Sequence, residues 1–320
     1  MSARNRKDGL ALLVLALAVI CFLLLLAAGL LVLLQHREEP PPAPPPADQR
    51  VLPAPAAPAR TPEEQKALVD EVRRLAARGR AKFAVYLADP ADAAAPLIAD
   101  SEEMRAASMI KVFILACAME KVKAGELQLA ETLRLESADK VGGAGVIAGF
   151  DAGTELSVEE LLQRMIAESD NTATNMLIDK LGMAEINRYM AAHGYEKSRL
   201  QRKMMDEAAA RAGHENYTSA RDLGDFFQRL YRSECVGESY DGKMREMLFA
   251  QTDSECLPRA LPQARIAHKT GELDHLYSDG GIIYGAHGRD AILVILADDI
   301  ETRGRTIEMM REIARRVMGE

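Results

Sequence analysis

The segment SVEELLQRMIAESDNTATNMLIDKLG, residues 157–182, decides the fold. Apolar residues recur three and four positions apart on both sides of Ser169-Asp170-Asn171, which predicts helices over 157–167 and 172–181. Helix N-caps prefer serine, aspartate and asparagine, so an ordinary capped loop accounts for this string. The functional interpretation lets Ser169 relay a proton to a leaving nitrogen and lets Asn171 donate its amide to a substrate.

Two more polar strings flank this segment along the chain: SMIK at 108–111 and KTG at 269–271. A Ser-x-x-Lys string arises by chance roughly once in a chain of this length, and the other two roughly once in 20 chains each. Their occurrence together and in this order predicts a nucleophile, proton-transfer groups and an anion-binding wall. That set of groups is typical of an enzyme that acylates its own serine.

The first string opens a nearly all-apolar stretch, 108–122, which predicts a buried helix. Ser108 and Lys111 are three residues apart and therefore share a helix face. Burial lowers the pKa of a lysine and lets it act as a base toward a hydroxyl, while the helix start favours developing negative charge. On this string alone, a Ser108 helix cap and a Lys111 that reaches the surface would be the better explanation.

The third string follows a predicted strand, 265–269. There the Lys269 ammonium and the Thr270 hydroxyl can hold a substrate carboxylate, and Gly271 lets a ligand approach the backbone. The ordinary alternative is an exposed strand end followed by a turn.

The order of elements predicts an α/β (α+β) domain over 61–320, with an antiparallel sheet flanked by N- and C-terminal helices and an inserted all-helical lobe. The sheet lobe is expected at 61–103 and 258–320, and the helical lobe at 104–257. The supporting patterns are helices at 62–77, 108–122, 157–167, 172–181, 183–193, 220–231 and 305–318, and strands at 82–87, 94–99, 265–269, 280–285 and 291–297.

The N-terminal part predicts a single membrane anchor. Residues 1–8 contain three basic residues, whereas residues 9–35 contain no charge and are long enough to cross a bilayer, although a cleaved signal peptide stays an alternative. The basic residues ahead of this span place the N-terminus in the cytoplasm and the domain outside the membrane. Residues 36–60 hold nine prolines and predict a semi-rigid linker.

The composition excludes several functions. A net charge of −8 without a basic cluster disfavours nucleic acid as a partner. The histidines show no metal-ligand spacing, so we expect no metal and no cofactor, and we expect a monomer. Cys117 lies in the apolar helix and is predicted to be buried, which leaves a Cys235–Cys256 disulfide as one option outside the cytoplasm.

The three strings, in this order and with these flanking helices, resemble class A β-lactamases and their penicillin-binding relatives. The resemblance covers nearly all of 62–320. It implies that Ser108 attacks an amide or lactam carbonyl, with Lys111 as its base and Ser169 handling the proton. It assigns the substrate carboxylate to Lys269 and the oxyanion hole to the backbone N–H groups of Ser108 and Glu272.

The chain departs from the class A pattern at the residue that clears the acyl-enzyme. No Glu-x-x-Leu-Asn string occurs in 199–207, and the alignment places Met204 near the glutamate position. Asp206 or Glu207 would replace this base if the loop were rebuilt, although a surface loop favours solvated charge for both. Glu272 also stands where a small residue is common in efficient β-lactamases.

Three functions are compatible with these residues. The first is a membrane-anchored β-lactamase-like serine hydrolase, acting on β-lactams or related amides and esters, whose deacylation is slow. The second is a penicillin-binding D-alanyl-D-alanine peptidase that acts on peptidoglycan-derived substrates. The third is a non-catalytic β-lactam-binding sensor or scaffold.

Overall fold

The computed structural model describes residues 59–90, 95–285 and 288–319. The predicted cytoplasmic stub, the membrane anchor and nearly all of the linker lie outside these residues. Within the described residues, no helix is both long and apolar enough to cross a membrane. The predicted anchor at 9–35 therefore stays a prediction.

The helices and strands follow the order that the sequence patterns predict. In chain order the helices are α1 (Pro62–Ala77), α2 (Lys111–Lys123), α3 (Val158–Ala167), α4 (Asn171–Leu181), α5 (Met183–Ala192), α6 (Glu207–Arg211), α7 (Ala220–Tyr231), α8 (Glu238–Phe249), α9 (Leu257–Ala260) and α10 (Arg303–Met318). The strands are β1 (Lys82–Ala88), β2 (Ile98–Ala99), β3 (Met104–Arg105), β4 (Thr132–Arg134), β5 (Glu155–Ser157), β6 (Tyr217–Thr218), β7 (Arg265–Leu273), β8 (Leu276–Tyr284) and β9 (Ala291–Asp298).

A five-stranded antiparallel sheet forms the centre of the domain, in the order β2-β1-β9-β8-β7. Strand β1 pairs with β9 from Lys82 opposite Asp298 to Ala88 opposite Ile292, so the two ends of the domain meet in one sheet. The helices α2 to α8 are inserted between these ends of the chain. Strand β7 lies at an edge of the sheet, and this position leaves one side of its backbone free.

Each face of the sheet packs against its own apolar cluster. On one face, Val72 of α1 and Met310 of α10 pack with Ile295 of β9. On the other face, the inserted helices pack with Val294 of β9, the neighbouring residue along the same strand. Successive side chains of a strand point to opposite faces, so β9 is buried along its whole length and is apolar nearly throughout. The predicted architecture of a sheet with an inserted helical lobe is confirmed.

The terminal helices also begin where the sequence predicts or close to it. Helix α1 starts with a capping box in which Thr61 Oγ1 accepts from Glu64 N, and the Glu64 carboxylate accepts from Thr61 N.

The strand predicted at 94–99 is much shorter, because only Ile98–Ala99 pairs with β1. The Asp100 carboxylate accepts from Val85 N at 2.8 Å and binds Arg73, which ends this pairing.

The Cys235–Cys256 disulfide, which the sequence leaves open as one option, is absent from the described residues, because Cys117, Cys235 and Cys256 are all free. Cys235 is buried among the inserted helices, whereas Cys256 is buried in the cluster on the opposite face of the sheet. The sheet therefore separates the two sulfurs. Burial raises the pKa of the Cys235 thiol to about 12, so it stays protonated at neutral pH.

The close packing of α7 on the sheet generates a prediction about Gly224. A Cβ atom at Gly224 would lie 2.1 Å from Cγ of the Tyr86 ring on β1. We expect Gly224→Ala to lower the free energy of unfolding by about 1–3 kcal/mol, because the ring or the helix must move.

Gly242 in α8 is the matched control, since its Cβ would meet only Arg245 Nη2, at 3.9 Å. Gly242→Ala should raise stability by about 0.5–1 kcal/mol through helix propensity. Urea unfolding of both variants measures the difference. Equal changes in the two would contradict the packing argument.

Candidate active site

Ser108 lies in a tight turn that leads into α2. Residues Ala107–Ile110 form a 3₁₀ helix, and α2 begins at Lys111. Three residues per turn align Ser108 with Lys111 on one side of the chain. Ala107 has a φ of +45°, a strained conformation for a residue with a Cβ. The half-buried Ser108 hydroxyl forms no hydrogen bond within the described residues, so it is available to a substrate.

The Ser108 turn packs directly against β7 at Gly271. A Cβ atom there would lie 3.1 Å from Met109 Cγ and 3.2 Å from the Ala106 carbonyl oxygen. Glycine at this position therefore lets the edge strand approach the nucleophile turn. The sequence predicts that this glycine makes room for a ligand, whereas the structure shows that the Ser108 turn itself needs that room.

Asp170 fixes the loop that carries Ser169 and Asn171. Its buried carboxylate accepts from Val146 N at 2.7 Å, from Ile147 N at 2.9 Å and from Ala173 N at 2.8 Å. The third bond caps α4, while the first two attach the preceding loop. Gly145 has a φ of +96°, and a Cβ there would lie 2.2 Å from the Asp170 carboxylate. The middle residue of the string is thus a structural anchor.

Lys111 is fully buried and reaches that loop. Its Nζ donates to the Ser169 carbonyl at 2.7 Å, to Ser169 Oγ at 3.1 Å and to Asn171 Oδ1 at 2.9 Å. Ser169 has a φ of +55°, and both of its oxygens contact the Lys111 amine. Burial, and next the charge of Lys269, hold the pKa of Lys111 well below its ordinary value. Lys111 is therefore suited to act as a base.

Lys269 approaches the same hydroxyl from the sheet. Its fully buried Nζ donates to Ser169 Oγ at 3.2 Å and to the Thr270 carbonyl at 2.8 Å. Burial lowers the pKa of Lys269 to about 7, although the nearby carboxylates of Asp253 and Asp279 act in the opposite direction. Ser169 Oγ consequently lies between two lysine nitrogens. Lys111 is suited to act as a base, and Lys269 is charged in mildly acidic solution.

The geometry of β7 supports the predicted oxyanion hole. The Thr270 carbonyl accepts from a side chain, so the polar groups of Thr270 point away from β8. Residues two apart in a strand point the same way, and the Glu272 N–H therefore also points to the free edge, beside the Ser108 turn. Donors placed there stabilise the negative charge that develops on an attacked carbonyl oxygen.

Asn171 has both of its polar atoms engaged. Its Oδ1 accepts from Lys111, and its Nδ2 donates to the Gly142 carbonyl at 3.1 Å. Gly143 has a φ of +91°, and a Cβ there would lie 2.6 Å from that Nδ2 atom. Asn171 therefore positions Lys111 in this structure, and its contact with a substrate stays a prediction.

Met204 occupies a buried position that Asn175 fixes. Met204 N donates to Asn175 Oδ1 at 2.8 Å, and Asn175 Nδ2 donates to the Met204 carbonyl at 3.1 Å. This pair of bonds attaches the loop after β-bridge residue Arg199 to α4, next to the catalytic string. A thioether takes no proton from water, so this side chain supplies no base.

Asp206 and Glu207 have partners in and around α6, away from the lysines. Asp206 Oδ1 accepts from Ala209 N at 2.9 Å and caps α6. Glu207 is exposed and pairs with Arg211 on the same helix at 3.2 Å. Neither carboxylate contacts the lysines or Ser169 within the described residues, and their role as a replacement base stays a prediction.

The histidines near the third string have other partners. His268 Nδ1 lies 2.8 Å from Asp279 Oδ1, and both side chains are buried. His268 points to the opposite face of β7 from its neighbour Lys269, and His275 Nδ1 lies 3.0 Å from the Ile300 carbonyl. In the described ranges no three metal-ligating side chains come together.

Sequence reasoning missed the roles of Asp170 and Asn175. Both residues lie in or close to the Ser169-Asp170-Asn171 string, and the sequence pattern indicates an anchoring function for neither. The signal for the loop around Asp170 is the cluster of glycines at 142, 143 and 145, which marks a backbone in close contact with something. No such signal exists for Asn175, because its partner is a backbone group far away in the sequence.

Comparisons with known proteins agree with this geometry. The sequence profile of the Beta-lactamase enzyme family matches residues 67–320. A β-lactamase of Streptomyces lavendulae is 25% identical over 249 residues, 75% of this chain and 80% of that protein. The extended-spectrum β-lactamase PER-1 of Pseudomonas aeruginosa is 23% identical over 265 residues, 78% of this chain and 85% of that protein.

Among solved structures, a mutant of PBP-A in an acyl-enzyme complex with penicillin G superposes with a TM-score of 0.73 and 26% identity. The match covers 79% of this chain and 96% of that one. An ancestral class A β-lactamase superposes with a TM-score of 0.72 at 22% identity, covering 79% and 99% of the two chains, which supports the fold.

A serine three residues before a buried lysine, with a second buried lysine across the Ser169 hydroxyl, is the arrangement of a serine hydrolase that works through an acyl-enzyme. The family match covers nearly the whole of this domain. The chain belongs to the Beta-lactamase enzyme family.

The two lowered lysine pKa values generate a pH prediction. With Lys111 as the predicted base and Lys269 as the predicted carboxylate-binding group, acylation needs neutral Lys111 and charged Lys269. The second-order rate constant should therefore rise as Lys111 loses its proton and fall above about pH 7 as Lys269 does. In Lys269→Arg the guanidinium stays charged, and the alkaline limb should move up by more than about 2 pH units.

Intact-mass kinetics with benzylpenicillin from pH 5 to pH 10 measure this profile. Lys82→Arg, at an exposed lysine paired with Asp299, is the control and should leave the profile unchanged. An alkaline limb that Lys269→Arg leaves in place would show that Lys269 does not set it.

Proposed function

We propose that this protein is a membrane-anchored serine hydrolase that acylates Ser108 with β-lactams or related amides and esters, and releases the acyl group slowly. The observation that carries the proposal is a combination of two features. The set of groups needed for acylation is complete, and Met204 occupies the neighbouring position at which class A enzymes have the base for deacylation. The four groups of that set are Ser108, Lys111, Ser169 and Lys269.

These four groups, together with two backbone amides, are sufficient for acylation. Neutral Lys111 takes the proton of Ser108, and Oγ forms a bond to the carbonyl carbon while negative charge develops on the oxygen between the amides of Ser108 and Glu272. The carbon–nitrogen bond then breaks. Ser169 Oγ donates its proton to the leaving nitrogen and regains one from Lys111, which it already contacts. Charged Lys269 and Thr270 hold the substrate carboxylate.

Deacylation needs a base that activates water, and the residues near the position of that base are poorly suited to the role. Met204 supplies none, and Asp206 and Glu207 serve α6. Lys111 is the base that stays in contact with the site. We therefore expect acylation to be much faster than release of the product.

A penicillin-binding D-alanyl-D-alanine peptidase is the second candidate function. The free edge of β7 favours it, because an extended peptide can add to such an edge through main-chain hydrogen bonds. The similarity to PBP-A in complex with penicillin G is compatible with it. A non-catalytic sensor or scaffold would not need two buried lysines with lowered pKa values around one hydroxyl.

The proposed location is the outer side of the cell membrane, with the N-terminus in the cytoplasm. The apolar run 9–35, the basic residues ahead of it and the proline-rich segment 36–60 support this proposal. A domain held there by a linker would meet β-lactams and peptidoglycan fragments.

Intact-mass measurement tests the proposed chemistry. A chromogenic cephalosporin should add one acyl group to the protein, and Ser108→Ala should abolish the adduct. A persistent adduct is expected. A short-lived adduct with many turnovers would assign an efficient β-lactamase, and no adduct with β-lactams or depsipeptide esters would favour the scaffold.

Met204→Glu should place a carboxylate where the loop and α4 meet. We expect it to shorten the lifetime of the adduct by about 100-fold, the lower end of the range for a positioned general base. Ala208→Glu is the matched control, because Ala208 is exposed on α6, close by in the chain, and outside the Asn175 contact. Equal lifetimes in the two variants and the parent would show that Met204 does not limit release.

A further inference from the structure

The open end of the site carries an arrangement of charges that the proposed chemistry does not use. Glu272 follows the third string on β7, and its side chain is 48% exposed. Arg303, at the start of α10, donates from Nε to Glu272 Oε1 at 2.6 Å and from Nη2 to Oε2 at 3.0 Å. The remaining guanidinium nitrogen of Arg303, Nη1, lies 2.7 Å from Glu255 Oε2.

These contacts hold the Glu272 carboxylate in place. Arg303 lies over the Tyr277 ring at 5.2 Å, and Tyr277 pairs with Glu272 across β7 and β8. The two carboxylates raise the pKa of Arg303 above its ordinary value, so its charge persists at every working pH. With two carboxylates and one guanidinium, the cluster of Glu272, Arg303 and Glu255 has a net charge of −1.

This cluster begins two residues along β7 from Thr270, one of the predicted anion-binding groups. Thr270 and Glu272 are two residues apart on one strand, so their side chains face the same side at a spacing of about 7 Å. A substrate carboxylate held by Lys269 and Thr270 therefore also lies near the Glu272 carboxylate and its net negative cluster. Any group that the substrate carries next to its carboxylate lies near Glu272.

We propose that Glu272, positioned by Arg303, makes this end of the site select substrates that carry a positive charge next to their carboxylate. The inference rests on the proposed acylation of Ser108 and concerns only the choice among substrates. A cation there is attracted by the net negative cluster, whereas a neutral group gains nothing and a second anion is repelled. At separations of about 5–8 Å in partly exposed surroundings, such an interaction changes a rate constant by about 3- to 10-fold.

Two cephalosporins provide a matched pair of probes. Cephaloridine and cephalothin share the thienylacetamido side chain and the ring carboxylate, and differ at the neighbouring C3 substituent. Cephaloridine carries a pyridinium cation there, and cephalothin carries a neutral acetoxy group. The measured quantity is the ratio of their second-order rate constants for acylation of Ser108, obtained by intact mass. Comparing this ratio between variants cancels the difference in intrinsic reactivity.

Glu272→Gln should lower the cephaloridine-to-cephalothin ratio by about 3- to 10-fold. Arg303→Gln should raise it, because Glu272 then loses its compensating charge. Added NaCl at about 0.5 M should lower the ratio of the parent and change that of Glu272→Gln much less, since salt screens exposed charges. Glu308→Gln is the matched control, since Glu308 is an exposed carboxylate of α10 paired with Arg311, and it should leave the ratio unchanged.

A ratio that Glu272→Gln leaves within twofold of the parent overturns the inference, and so does an Arg303→Gln ratio that falls with it. Both results leave the proposed function standing, because Ser108 is still acylated. No adduct on the parent with either cephalosporin overturns the proposed function, and with it the selectivity that depends on it.

Discussion

The burial of two lysine side chains around one hydroxyl is the constraint on which the rest of the structure depends. Lys111 and Lys269 are both fully buried, both donate to Ser169 Oγ, and neither forms an ion pair within the described residues. Burying an ammonium without a partner is unfavourable, so the surrounding fold must supply the opposing stability. The result is a lysine that is neutral enough to be a base beside another that retains a charge near neutrality.

The architecture is what brings these groups together. Lys269 comes from the edge of the sheet, Lys111 from the first buried helix of the insertion, and Ser169 from the loop before α4. Each is fixed by a contact outside the chemistry: Gly271 lets the nucleophile turn approach β7, and Asp170 holds the loop by three backbone amides. Asn175 of α4 holds Met204 through two further hydrogen bonds, and the proposed slow release of the acyl group rests on this position.

Much of this structure was predictable from sequence. Hydrophobic periodicity and capping residues located α1, α3 and α4 closely, because these signals are local, and the three strings identified Ser108, Lys111, Ser169 and Lys269. Contacts between distant segments were beyond reach. The sheet that separates Cys235 from Cys256, the partners of Asp206 and the Asn175–Met204 bonds follow from tertiary packing, which spacing along the chain does not report.

The most direct test of this account is the titration of the two lysines by NMR, with ¹³Cε-labelled lysine and assignment from the Lys111→Arg and Lys269→Arg spectra. The account predicts that Lys269 titrates with a pKa of about 7 and that the pKa of Lys111 lies well below the ordinary lysine value. If both signals titrate near the ordinary lysine pKa of about 10.4, the lysines are solvated and the acyl-transfer site described above does not exist in solution.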